Sequence, residues 1–176
     1  MIADFFMERK SGKASDYFRL SSGLDYSFSG KTYGFIEYHF NSGGAGQPFV
    51  GRAGSYLDKI FHSHSLERKS VYITSVLKCY HPGSPKKDQI KSCLAWTEKQ
   101  IEVLQPELIL IMGRTAEQGL FDKIHEEKKD NSVEWGDIPC IITCHPAAAM
   151  RFPERDKQFR HDFQSMIKMA KEKGLL

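Results

Sequence analysis

The sequence predicts an α/β fold in which a mainly parallel sheet is covered by helices. Two observations predict it. Four segments, 31–38, 70–79, 108–112 and 138–144, are rich in β-branched, aromatic or aliphatic residues and read as strands. Apolar residues at helical spacing occupy the stretches between and after them. Strands that alternate with helices imply parallel pairing through crossover connections. At 176 residues the chain is expected to form one domain.

The first 30 residues have the weakest pattern: Asp4 to Arg9 reads as a short helix and Ser21-Ser22-Gly23 as a turn. Tyr33, Phe35 and Ile36 make residues 31–38 the first clear strand. It breaks into Asn41-Ser42-Gly43-Gly44-Ala45-Gly46, where three glycines in four positions allow positive φ or close approach to a ligand. Phe49 and Gly51-Arg52-Ala53-Gly54 lead into a helix from Ser55 to His64, with Tyr56, Leu57, Ile60 and Phe61 on one side. The strand from Ser70 to Cys79 ends in a proline-punctuated loop, and a helix runs from Lys86 to Leu104 until Pro106 stops it. Leu108 to Met112 is a short apolar run that suits a central strand buried on both faces. Gly113-Arg114 precedes a helix from Thr115 to about Ile124, and His125 to Asn131 reads as a polar connection. The strand Ile138–Cys144 delivers His145-Pro146, and Arg155 to Lys173 closes the chain as a helix.

Composition excludes several classes. With 40% hydrophobic and 27% charged residues the chain is globular rather than disordered. A net charge of +3 is compatible with nucleic acid without requiring it. No apolar run approaches the roughly 18 residues of a membrane span. The N-terminal stretch lacks a signal peptide's apolar run, so a cytoplasmic or nucleoid location is expected. The four cysteines are then expected as reduced thiols.

Parallel strands would bring Glu37, Phe49, Ser75, Gly113-Arg114 and His145 to one edge, where ligands of open α/β sheets bind. Each residue alone has an ordinary explanation. A histidine before proline is more often a loop residue satisfied by backbone, Phe49 could be core, and Glu37 could be a plain strand-end carboxylate.

The combination is more specific. GQPFVGRAG (46–54), VYITSVLKC (71–79), PELILIMGRTA (106–116) and ITCHPAAAM (142–150) resemble, in order and approximate spacing, the uracil-DNA glycosylase superfamily, most of all its family-four, thermophile-type branch. The resemblance covers about residues 31–165. It implies a three-layer α/β/α sandwich around a mainly parallel four-stranded sheet, and hydrolysis of the bond between a base and deoxyribose. A base inside a duplex must be flipped out to be reached. By this resemblance Phe49 stacks on the base, and residue 75 reads its edge. His145 stabilises the charge that develops on the departing base, and Glu37 is the matching carboxylate. Tyr38, His39 and Asn41 would line the base pocket, and Arg52, Lys78, Arg114 and Arg151 would hold DNA phosphates. Ala147 to Met150 reads either as an apolar wedge for the groove or as a packed turn.

The chain departs from the family in three places. Ile36-Glu37-Tyr38-His39-Phe40 replaces the family's Gly-Glu-Ala-Pro-Gly, so Glu37 matches its carboxylate only across a one-residue gap. Ser75 replaces the usual Asn, exchanging a fixed amide for one short hydroxyl. That change predicts altered base choice: uracil by family default, or a modified pyrimidine such as one in viral DNA, which would imply anti-phage defence. Family-four enzymes hold an iron–sulfur cluster on four cysteines. Here Cys79 and Cys93 match one pair, residues 1–70 contain no cysteine, and Cys140 and Cys144 lie on the last strand, so no cluster is expected. A zinc site from Cys79, His81 and Cys93 lacks the usual spacing, and no cofactor is expected. The expected partner is DNA, with the protein as a monomer. The alternative function is a catalytically inactive DNA- or nucleotide-binding module on the same fold.

Overall fold

The computed structural model describes residues 8–10, 16–19, 25–28, 33–37, 49, 51–77, 84–120, 124–129 and 132–176, with only the backbone described for 8–37 and 124–129. The first strands, β1 (Glu8–Lys10), β2 (Asp16–Arg19) and β3 (Asp25–Phe28), pair antiparallel as a separate small sheet. Glu8 and Arg9 were expected in a helix. They lie in β1 instead, with Glu8 opposite Arg19 and Lys10 opposite Tyr17. So short and polar a segment cannot carry the cost of helix nucleation alone, and pairing decides its conformation.

The main sheet is built from β4 (Tyr33–Glu37), β5 (Val71–Ser75), β6 (Ile109–Met112) and β9 (Ile138–Thr143), which are parallel. Before β9 come β7 (Ile124–Lys129) and β8 (Ser132–Trp135), antiparallel to each other, with β8 antiparallel to β9. The order is β5-β4-β6-β9-β8-β7. The four expected strands are therefore present, but among the described residues a hairpin extends the sheet to six strands. The segment read as a polar connection, His125 to Asn131, mostly forms β7. Its charged run suits an edge strand, where it discourages pairing with another chain. β8 alternates instead, with Val133 buried and Glu134 exposed. Gly136, at φ 59°, makes the two-residue turn into β9.

Among the described residues, five α-helices complete the fold: α1 (Arg52–Ser63), α2 (Lys87–Leu104), α3 (Arg114–Leu120), α4 (Pro146–Ala149) and α5 (Pro153–Glu172). α3 is shorter than expected, since Ile124 already stands opposite Trp135 in the hairpin. α2 ends where Gln105 turns left-handed, at φ 44°, just before Pro106. β5 stops at Ser75 rather than Cys79, because the Leu77 N–H donates to Ser75 Oγ at 3.2 Å and turns the chain out of the strand.

The core confirms the three layers. Leu108, Leu110, Met112 and Ile141 face Leu57, Ile60 and Phe61 of α1 and Phe159, Phe163 and Met166 of α5. Ile109, Ile111 and Cys140 face Ile90, Leu94 and Ile101 of α2 and Ala116 and Leu120 of α3. Every residue of β6 is at most 1% exposed. Burying such a side chain contributes about 1.5–3 kcal/mol, so this strand is the axis of the fold. Among the described residues, no helix is long and apolar enough to cross a membrane.

Candidate active site

Parallel register assembles the site. Glu37 pairs with Ser75 on one side and Met112 on the other, and Met112 pairs with Thr143. These four positions form one row at the carboxyl edge. Beyond it, the Gly113 N–H donates to Thr143 O at 2.8 Å and ties the β6 and β9 exits together.

Gly113 has φ 91°, and a Cβ there would stand 2.9 Å from the Cβ of His145. Glycine is thus what lets His145 cross over the end of β6. The histidine itself caps α4: its Nδ1 accepts the Ala147 N–H at 3.0 Å, and its carbonyl accepts from Ala148 and Ala149. Pro146 follows at the first helical position, where its missing N–H costs nothing. A ring nitrogen that accepts cannot carry the proton, so Nε2 carries it and is the donor.

Phe49 packs against this ring, with centroids 5.7 Å apart and planes 24° from parallel. Phe49 is buried and left-handed, at φ 57°. A non-glycine residue there is uncommon and held by its surroundings. Part of the constraint is Gly54, where an added Cβ would fall 1.7 Å from the Phe49 carbonyl oxygen. The first turn of α1 therefore presses directly on the Phe49 backbone.

The structure brings Phe49 and His145 into contact and sets Ser75 and the backbone of Glu37 on the same edge. Arg52 and Arg114 open α1 and α3, Arg151 follows α4, and all three are exposed. Tyr38, His39, Asn41, Lys78, Cys79 and His81 lie outside the described residues. In Ala147 to Met150, Ala149 is buried and Ala147 and Ala148 are half-buried, while Met150 and the following Phe152 are exposed, at 37% and 54%.

Sequence reasoning missed the support around this site. Tyr56 Oη donates to Asp156 Oδ1 at 2.5 Å, and Arg160 Nε donates to both oxygens of that carboxylate. Burial first, and then this bond, raise the Tyr56 hydroxyl above its ordinary range and keep it protonated. Arg160, then Tyr56, hold the Asp156 carboxyl below its ordinary value. The i, i+4 spacing of Asp156 and Arg160 was the available sequence signal.

Cys140 and Cys144 are not placed to share a thiolate cluster. Cys140 packs on the α2 side of the sheet and Cys144 on the α5 side. Each donates to a carbonyl at 3.4 Å, that of Ile138 for Cys140 and that of Arg155 for Cys144. Burial pushes the Cys140 thiol up to about 12, and Cys144 is raised for the same reason. Ligation of one cluster needs thiolates converging on one point, and these two lie on opposite faces of the sheet. Among the described residues, no three His, Cys, Asp or Glu side chains are grouped to hold a metal ion.

A family profile described as the uracil DNA glycosylase superfamily matches residues 37–168. The chain belongs to that superfamily. The type-4 uracil-DNA glycosylase of Sulfurisphaera tokodaii is 33% identical over 71% of this chain and 63% of its own length. That of Archaeoglobus fulgidus is 30% identical over 73% of the chain and 70% of its own. That of Thermotoga maritima is 33% identical over 72% and 68%. The chain thus spans just under two thirds of the Sulfurisphaera relative and slightly more of the other two. The small sheet β1–β3 precedes the superfamily match.

Proposed function

We infer that this protein is a DNA glycosylase that hydrolyses the N-glycosidic bond of a flipped-out base and leaves an abasic site. The observation that carries the reading is the stacked Phe49–His145 pair at the carboxyl edge of a superfamily sheet, with Nε2 as the donor. The base–sugar bond breaks with its electron pair on the base; water adds to the sugar carbon to give a hemiacetal, and the proton it releases neutralises the base anion. A hydrogen bond from His145 Nε2 to the base oxygen strengthens as that charge develops. Phe49 supplies an aromatic wall. Glu37, in the register row between Ser75 and Met112, is the carboxylate assigned to stabilise the sugar cation or orient the water. Arg52, Arg114 and Arg151 hold phosphates, and Met150 and Phe152 are apolar surface for the groove.

Uracil is the base named for the relatives and is the first substrate to consider. A second reading, a 5-substituted pyrimidine of the kind found in modified viral DNA, is favoured by Ser75. Its side chain is short, and its oxygen is turned back to the Leu77 N–H. Release of free base from a panel of duplexes carrying uracil or 5-substituted pyrimidines tests both readings. Excision of uracil without advantage for any substituted base assigns ordinary uracil repair. Excision of none, with DNA still bound, assigns the non-catalytic alternative.

A further inference from the structure

Two helices carry the two halves of the stacked pair. On α1, Gly54 sits against the Phe49 carbonyl, at a spacing that excludes even a methyl group, so α1 cannot shift without moving Phe49. On α5, the first turn is tied back to His145 through backbone. Asp156 N–H donates to Phe152 O at 3.0 Å, Phe152 N–H donates to Ala148 O at 3.1 Å, and Ala148 N–H donates to His145 O at 2.8 Å. Tyr56 lies one turn into α1 and Asp156 in the first turn of α5, and their side chains meet at 2.5 Å across 100 residues of sequence. The Tyr56 ring also stands edge-on to buried Phe159, at 5.6 Å and 66°. Arg160 holds the Asp156 carboxylate from its own helix, so the acceptor offered to Tyr56 is already fixed in direction.

We propose that Tyr56 and Asp156 are positioning residues: their hydrogen bond sets the spacing and tilt of the Phe49 ring against His145. For its kinetic consequence the proposal rests on the glycosylase reading; for its geometry it does not.

Tyr56→Phe is the informative variant, because the ring keeps its place on Phe159 and only the hydroxyl is lost. Histidine ring resonances read the geometry without catalysis, since a ring stacked on phenylalanine feels its ring current. The His145 signal is assigned by its absence in His145→Ala. It is expected to move in Tyr56→Phe and in Asp156→Ala, and to return in Asp156→Asn, which keeps an oxygen acceptor. The single-turnover excision rate at saturating DNA is expected to fall roughly tenfold to a hundredfold, the scale of a small misplacement. DNA affinity should change less than about twofold, the remote phosphate contacts being untouched. In a His145→Ala background Tyr56→Phe should cost nothing further, because the residue through which it acts is gone.

An unmoved His145 resonance with a lowered melting temperature would make the bond merely structural and overturn the proposal. So would rate losses that multiply in the double variant. Equal displacement in Asp156→Asn and Asp156→Ala would assign the effect to the Arg160 ion pair, which also overturns it. If the wild type releases no base at all, the glycosylase reading fails, and the resonances still decide the positioning role.

Discussion

At the scale of single residues, the site depends on close approaches that only particular side chains permit. Gly113 is the clearest. Gly113→Ala places a methyl 2.9 Å from His145 Cβ in a left-handed backbone, so the variant should lose stability by about 1–2 kcal/mol and excise more slowly. Thermal melts and single-turnover rates measure the two losses. His145→Ala should leave folding and DNA affinity nearly intact while the rate falls by two to three powers of ten, the usual scale for one preorganised donor. An unchanged rate would remove His145 from the mechanism. That Phe49 and His145 come to one edge of the sheet was legible in the sequence from the segments around them. That His145 caps its own helical turn was not, because capping depends on a ring orientation that no residue spacing encodes. Ser75 was legible as a departure, but its bond to the Leu77 N–H was not. An asparagine there can form the same turn with its carbonyl oxygen, which would leave mainly its amide N–H groups for a base. Ser75→Asn is therefore expected to raise uracil release modestly, and to lower release of any substituted pyrimidine the wild type prefers. Parallel excision rates on the two substrates decide it.

At the scale of elements, the long periodic segments were legible and the short polar ones were not. The continuous apolar run 108–112 and the helical spacing of Phe159, Phe163 and Ile167 define β6 and α5, because burial on both faces or on one stripe leaves a strong pattern. β7 left none: its conformation comes from pairing with β8, and its residues are those of any charged surface segment. The α1–α5 contact has a testable pH dependence. Asp156 has its folded-state carboxyl lowered below the ordinary 3.8, first by Arg160 and then by Tyr56. Its stabilising contribution is present above that value and is lost as pH falls through the lower folded-state value. Asp156→Asn should accordingly be less stable than wild type at neutral pH and should lose less of its stability on acidification below about pH 4, in denaturant melts taken across that range.

At the scale of the whole molecule, three layers share one axis. Leu110 is fully buried in the strand between them, and Leu110→Ala should cost about 2–5 kcal/mol by denaturant titration without altering the site's residues. Purified protein is expected to be colourless and free of stoichiometric iron, since residues 1–70 contain no cysteine and Cys140 and Cys144 face opposite sides of the sheet; iron analysis checks this. On the proposed glycosylase reading, the hairpin sets the length of duplex the protein needs. Ser132 pairs with Ile141, near the carboxyl end of β9, and with Lys129 of β7, so the Lys129–Ser132 end of the hairpin lies on the same edge as His145. Six strands at about 4.8 Å apart make that edge about 24 Å wide. Laid along a duplex with a rise of 3.4 Å, it spans roughly seven base pairs. Excision should therefore improve as duplexes lengthen to about that size around the target and level off beyond it, with the chain ends of the oligonucleotide losing influence at the same point.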